Sequence, residues 1–200
     1  IRRTTIPRRE TESLILAGAF DSVCEGIHHP QLLWELESSP AKESGYDHPE
    51  LLPTTAAPVE YPPLADYSPW RKLCNELKHL ELNIQSHPVS IRRRELEELC
   101  RSRVQPLLHT TDVSRQWAGQ GVLVAGLVAA TRRIRTSRGE PMMFVTIEDE
   151  FGVLEGVLFP RACGRSEGAL REPGPYLFEG EVESEHGVAS LSIRRIEPLP

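Results

Sequence analysis

Five short runs of strand-forming residues, at near-regular spacing across residues 121–196, constrain this chain more than anything else in it. The first run, 121–128, is apolar apart from its glycines. A basic segment follows, with Arg132, Arg133, Arg135 and Arg138 closed by Gly139. Runs at 142–147 and 153–159 flank an acidic turn, Glu148-Asp149-Glu150-Phe151-Gly152, and after a break come 176–183 and 188–196. Short strands split by glycine and charged turns predict a small closed barrel. The first strand has apolar residues on both faces, and Gly121 and Gly126 give it places to bend or bulge.

The loop predicted after that strand, 131–141, carries all four arginines. In a barrel of this kind it is one of two loops that close over a bound single strand. Arginine suits that role, because its planar guanidinium pairs with phosphate and stacks on a base. Strand alternation puts Met142, Phe144 and Thr146 on one face and Met143, Val145 and Ile147 on the other. The second set is the better core candidate. Phe144 then becomes a stacking platform, worth roughly 1–3 kcal/mol per base; its alternative is packing under the loop or against another domain. The candidate nucleic-acid-binding residues are thus Arg132, Arg133, Arg135, Arg138 and Phe144. Phe151 reads as a turn support and Phe159 as strand-end packing.

Charge limits how strongly such a site can act. The chain has a formal net charge of -6, whereas a domain that grips duplex DNA by itself is usually basic. Residues 121–200 carry nine arginines and twelve acidic residues, a net of -3, and residues 1–120 carry fourteen basic and seventeen acidic ones, also -3. Any nucleic-acid contact is therefore expected to be local and weak. Glu148, Asp149 and Glu150 alternate in direction and converge poorly on an ion, so they read as a solvated acidic turn. His28, His29 and His87 lack partners at metal-ligand spacing. No catalytic centre assembles, and neither metal nor cofactor is expected in this chain.

The rest reads as helices and linker. The four cysteines are scattered, with no CxxC pair, which fits free thiols in a reduced, cytoplasmic setting. No signal pattern is present, the longest apolar run is far short of the roughly 20 residues of a membrane helix, and no membrane contact is expected. Ile1 in place of Met implies a fragment or processed product. Residues 1–37 form a helical segment that pauses at Gly18 and restarts, with Trp34 as anchor of a second short helix. Arg2, Arg3, Arg8 and Arg9 make a basic front end, read as a solvated end or a DNA-backbone contact. Seven prolines in residues 38–69 mark a linker over 38–67, a tether or a strap over a neighbouring domain. Residues 68–118 are connecting helices. Ser68-Pro69 starts the first, and Trp70, Leu73, Cys74, Leu77 and Leu80 form its apolar stripe, read as core packing. Ser90 is the expected cap of the next, with Arg92, Arg93 and Arg94 fanning around the helix, read as its solvated start or as a phosphate contact. The barrel domain is 119–200.

Three blocks, in order, resemble the C-terminal part of bacterial DNA polymerase III alpha subunits, the C-family polymerases. Residues 12–21 (ESLILAGAFD) are similar to the helix closing the family's tandem helix-hairpin-helix region. Residues 80–90 (LELNIQSHPVS) are similar to a helix leading into a Ser/Ala-His-Pro turn. Residues 138–142 (RGEPM) and 144–152 (FVTIEDEFG) are similar to the family's OB-fold. The resemblance implies an α+β chain: N-terminal helical segments ending a helix-hairpin-helix region, then a five-stranded OB-fold β-barrel. It implies that the OB-fold lies near single-stranded template, that upstream polymerase domains are partners, and that the catalytic carboxylates lie in a palm domain not included here. Ser86 stands where the replicative branch has Gly, which is closer to the error-prone, translesion branch. No direct sliding-clamp peptide is found: residues 38–69 hold neither Gln nor Phe, and Gln105-Pro106-Leu107-Leu108 lacks a terminal aromatic.

The leading expectation is a DNA-binding part of such a polymerase, its OB-fold guiding single-stranded template in replication or translesion synthesis. The alternative is a protein-interaction module docking on polymerase domains or accessory replication or repair proteins, with little DNA binding of its own.

Overall fold

The computed structural model describes residues 6–38, 60–166, 168–171 and 174–199. The chain divides into two compact units, Ile1–Gln85 and Ser86–Pro200.

In the first unit α1 (Arg8–Leu16) and α2 (His29–Ser38) are joined by a turn in which Gly18 takes a φ of +77°. That left-handed conformation suits glycine and stops α1 where the sequence reading expects it. Ile15, Leu32 and Leu36 form the small core between these helices. Trp34, the expected anchor, is instead 40% exposed; it lies on the opposite side of α2 from Leu32 and Leu36. Arg8 pairs with Glu37 at 2.5 Å, while Arg2 and Arg3 lie outside the described residues. Of the Pro-rich linker, residues 39–59 also lie outside them. Its last part behaves as a strap. Tyr61 Oη donates to Glu35 at 2.6 Å, Gln31 Nε2 donates to the Pro62 carbonyl at 3.2 Å, and Asp66 pairs with Lys72 at 2.7 Å. The bond to Glu35 and burial push the Tyr61 hydroxyl up to about 12.

Helix α3 (Pro69–Leu80) starts as the sequence predicts: Ser68 Oγ accepts from the Arg71 amide and Pro69 occupies the first turn. Its stripe departs from expectation. Leu73 is 3% exposed, but Trp70 and Leu77 are 41% and 39% exposed. Two helices and a strap give α3 too little surface to cover the whole stripe. On its buried side Glu76 Oε2 accepts the Ile84 amide at 2.9 Å, closing the turn after the helix.

The second unit, Ser86–Pro200, contains the barrel. Its strands are β1 (Leu107–Leu108), β2 (Gly121–Arg135), β3 (Pro141–Glu148), β4 (Val153–Leu158), β5 (Tyr176–Glu185) and β6 (Val188–Pro198). They follow the order β1-β2-β3-β4-β6-β5, and β5 pairs again with β2. The five long strands thus close into a mixed barrel: β4 and β6 run parallel, the other barrel pairs antiparallel. This is the OB-fold, and with the helices it makes the chain α+β. Met143, Val145, Ile147, Leu154, Leu158, Phe178, Val182, Leu191 and Ile193 fill the interior, and Cys163 of α5 (Pro160–Ser166) joins them. The alternation expected for β3 is therefore the observed one.

Strand β2 serves two neighbours in turn. It pairs with β5 through Gly126 and with β3 from Leu127 onward, with a register shift between Val128 and Ala130. A Cβ on Gly126 would lie 2.5 Å from Ile147 Cγ2 and 2.8 Å from the Glu148 carbonyl oxygen. Both neighbours sit in the barrel wall and cannot swing away. Gly126→Ala is therefore expected to cost about 1–3 kcal/mol, read as a lowered urea midpoint at unchanged slope.

The outer face of the first half of β2 is covered by α4 (Pro88–Cys100), whose Val89, Leu96 and Cys100 pack on Leu123, Ala125 and Leu177. That second layer explains why β2 is apolar on both faces. The cap of α4 is His87, not Ser90: His87 Nδ1 accepts the Val89 amide at 3.2 Å, and Ser90 Oγ donates back to the His87 carbonyl at 2.7 Å. Pro88 at the first helical position places His87 one residue ahead, which puts its ring, not the serine, at the free amides.

The His87 cap works only while the imidazole is neutral. Burial pushes its pKa down; Glu150, Glu148 and Asp149 oppose that shift, and Arg93 reinforces it. A folded pKa below the ordinary value of about 6.5 means that the stabilisation is complete above that pH. It is lost as pH falls through it toward the depressed folded value. The melting temperature is expected to drop on going from pH 7.5 to 5.5, and His87→Asn, which keeps a capping oxygen without titrating, should flatten that slope. An unchanged slope in the variant would remove His87 from the account.

Candidate nucleic-acid interface

The site begins with the β2–β3 ribbon. The sequence reading places Arg132, Arg133 and Arg135 in a loop; the structure places them on β2, paired with β3, so that Arg132 faces Phe144, Arg133 faces Met143 and Arg135 faces Pro141. The reason is that this end of β2 runs out from under the barrel's cover, exposed even where its β3 partners Met143 and Val145 are buried, so polar side chains can occupy a paired strand without breaking it. Only Arg138 lies in the connecting turn. That turn is internally fixed: Gly139 has a φ of +80°, its amide donates to the Thr136 carbonyl at 2.8 Å, and Arg135 Nη1 donates to the Gly139 carbonyl at 3.0 Å.

Register divides the arginines between two faces. Cross-strand partners share a face, so Arg132 stands with half-buried Phe144, and Ala130 stands beside it with Thr146. Arg133 and Arg135 share the face that continues into the interior through Met143 and Val145. The structure therefore brings Arg132 and Phe144 together and directs Arg133 and Arg135 to the other side. Arg132 and Arg138 are exposed and have no carboxylate partner among the described residues.

Four acidic side chains of the barrel lie away from the hairpin, while Glu140 follows Arg138 beside the turn and exposed Glu155 stands across from Thr146. Glu179, Glu181, Glu183 and Glu185 alternate along one face of β5. Glu181 pairs with Arg194, and Glu179 takes a hydrogen bond from Gln105 at 3.2 Å. Arg103 is held by Glu197 at 2.8 Å. The negative sum over residues 121–200 thus hides a separation, with an acidic β5 and a basic hairpin at the far end of β2.

At the opposite end of β3 the turn Glu148–Gly152 corrects the reading of a solvated acidic loop. Asp149 is buried. Its carboxylate accepts from the Thr110 amide at 2.9 Å, the Thr110 hydroxyl at 2.6 Å, the Phe151 amide at 2.9 Å and the Gly152 amide at 3.1 Å. Burial alone would push this carboxyl up, but the Thr110, Phe151 and Gly152 donors outweigh it and hold the pKa below the ordinary value. Glu150 takes a two-pronged bond from Arg93 of α4, at 2.9 and 2.8 Å. Arg93 is therefore a latch between helix and barrel, not a solvated helix start. The Asp149…Gly152 spacing is a turn signal legible in the sequence; Thr110 and Arg93 are brought in by the fold alone.

Among the described residues no three metal-ligating side chains converge, and no helix is long and apolar enough to cross a membrane. No disulfide joins Cys24, Cys74, Cys100 or Cys163.

No family model matches the chain. An error-prone DNA polymerase of Bdellovibrio bacteriovorus is 31% identical over 206 residues, which take in 100% of this chain and 19% of the relative. An error-prone DNA polymerase of Rhodopirellula baltica is 30% identical over 98% of this chain and 16% of its own. The DNA polymerase III alpha subunit of Thermus aquaticus is 32% identical over 89% of this chain and 14% of its own. The chain thus spans less than a fifth of the length of these curated relatives. Among solved structures, asparaginyl-tRNA synthetase from Pyrococcus horikoshii is 19% identical with a TM-score of 0.38, covering 46% of this chain and 22% of that one. A replication protein A heterotrimer bound to single-stranded DNA is 16% identical with a TM-score of 0.32, covering 40% of this chain and 57% of that one.

Proposed function

Because 89–100% of the chain is homologous to part of bacterial error-prone DNA polymerases and DNA polymerase III alpha subunits, we propose that it serves such a polymerase by holding single-stranded DNA on its OB-fold. The observation that carries the reading is the basic ribbon, where exposed Arg132 stands across from Phe144 and Arg138 occupies the turn, away from the acidic face of β5. Arg132 and Arg138 neutralise phosphates, and Phe144 offers a ring edge or face to a base. The net charge sets the strength: contact is local, so binding is weak and guides a strand already delivered to the site by the rest of the polymerase. On this reading nucleotide transfer is the work of other parts of such a polymerase.

A second reading follows from the row of carboxylates on β5: a docking module for polymerase domains or accessory proteins. The two separate on salt. Fluorescence anisotropy of a labelled single-stranded DNA 20-mer titrated with the chain should show micromolar binding that weakens as salt rises, with a slope of about -0.7 per neutralised phosphate. A docking module would leave the strand unbound even at low salt.

A further inference from the structure

We propose that Phe151, braced by His109 on the β3–β4 turn, is a second base-stacking platform, at the other end of β3 from the arginine ribbon. The proposal rests on the single-strand reading and extends it to a further point on the strand. Phe151 is 55% exposed at the tip of a turn, where a phenyl ring has little to gain from the protein itself. Its position is nevertheless fixed. The backbone amides of Phe151 and Gly152 are tied to the Asp149 carboxylate, which is itself held by Thr110. The His109 ring lies against the phenyl ring, centroids 4.2 Å apart and tilted by 57°. A rigid aromatic presented to water loses little entropy on contact, which is what stacking on a flat partner requires.

Two of the three adjacent carboxylates are already engaged: Asp149 is buried under donors and Glu150 is matched by Arg93, which leaves half-buried Glu148 and exposed Glu155, across from Thr146, as the negative charges along that face. Along β3 the eight residues from Pro141 to Glu148 span about 26 Å at roughly 3.3 Å per residue. That is a few nucleotides of an extended strand, within the site sizes of single OB-folds. A strand lying along β3 would meet Arg132 and Phe144 first and the Phe151–His109 pair last. The neighbouring Val153 is exposed as well, so the platform continues as an apolar step.

The test uses the whole chain and two labelled DNA strands of equal length, one of thymidines and one of abasic sites, bound to wild type, Phe151→Ala, Phe151→Leu and Phe151→Tyr. Stacking predicts that Phe151→Ala and Phe151→Leu weaken the thymidine strand about fivefold or more. It also predicts that they leave the abasic strand unchanged and that Phe151→Tyr binds as wild type. If Phe151→Ala fails to fold, the leucine and tyrosine variants decide by themselves. Leucine binding like wild type would overturn the platform, because bulk without a π-face would then suffice. So would an unchanged thymidine affinity in all three variants; if loss of Arg132 and Arg138 still weakens binding, the ribbon reading survives that result. A wild-type chain that binds neither strand overturns both readings.

Discussion

Replacing Arg132 and Arg138 together with alanine should weaken single-stranded DNA binding about tenfold at low salt, and should flatten the salt dependence by about 1.4 in the slope of log affinity against log salt, roughly 0.7 for each phosphate that is no longer neutralised. The pair is chosen because structure and electrostatics agree on it. Both side chains are exposed and neither has a carboxylate partner among the described residues, so their removal leaves no buried charge behind. Arg135 is a poorer choice, since its guanidinium holds the turn through the Gly139 carbonyl. Thermal stability should stay within about 0.5 kcal/mol, as for surface substitutions elsewhere. A variant with unchanged affinity and slope would move the weight to the docking reading, and a large fall in melting temperature would mean that these arginines are structural.

Asp149→Ala should be strongly destabilising, by about 2–4 kcal/mol. The methyl group removes the acceptor for the Thr110, Phe151 and Gly152 donors, and each buried donor left unsatisfied costs about 1–3 kcal/mol, less than additively. It also removes one carboxylate near Arg93. Chemical denaturation followed by circular dichroism should show the midpoint falling well below that of Glu150→Gln, which keeps a hydrogen-bond acceptor for the same arginine. Equal midpoints for the two variants would place the strength of the turn in the Arg93–Glu150 pair instead. The Asp149 carboxyl sits below its ordinary pKa, so its contribution is present at neutral pH and lost only as pH falls below the unfolded carboxylate value of about 4. The His87 contribution fades earlier, on passing below about pH 6.5, and the two titrate in separate windows.

What the sequence made legible follows the period of its side chains. Met143, Val145 and Ile147 alternate with Met142, Phe144 and Thr146, and one face of a strand buried in a barrel has to be apolar, so the core of β3 could be read directly. The same rule failed one element earlier. Arg132, Arg133 and Arg135 sit on a stretch of β2 that is itself exposed, and nothing in a polar run distinguishes such a paired strand from a loop. Asp149 was missed for a different reason. Its neighbours Glu148 and Glu150 make the turn look wet, while the groups that dry it, Thr110 and Arg93, lie 39 and 56 positions away in the chain. The α3 stripe misled in the opposite direction, because Leu73 is buried while Trp70 and Leu77 repeat the same period at the surface.

The seat of α4 carries a consequence for how the barrel forms. Leu123 and Ala125 come from β2 and Leu177 from β5, and these two strands meet only through the pairing of Gly121 with Glu181 and its neighbours. The β2–β3–β4 meander forms from pairings close in sequence, whereas that last seam closes a long loop, the slow and entropically costly step. A helix whose three apolar footholds span the seam gains only part of its burial from an open sheet and all of it from a closed one. Docking of α4 therefore rewards closure itself, and makes an open, edge-exposed barrel a sparsely populated state.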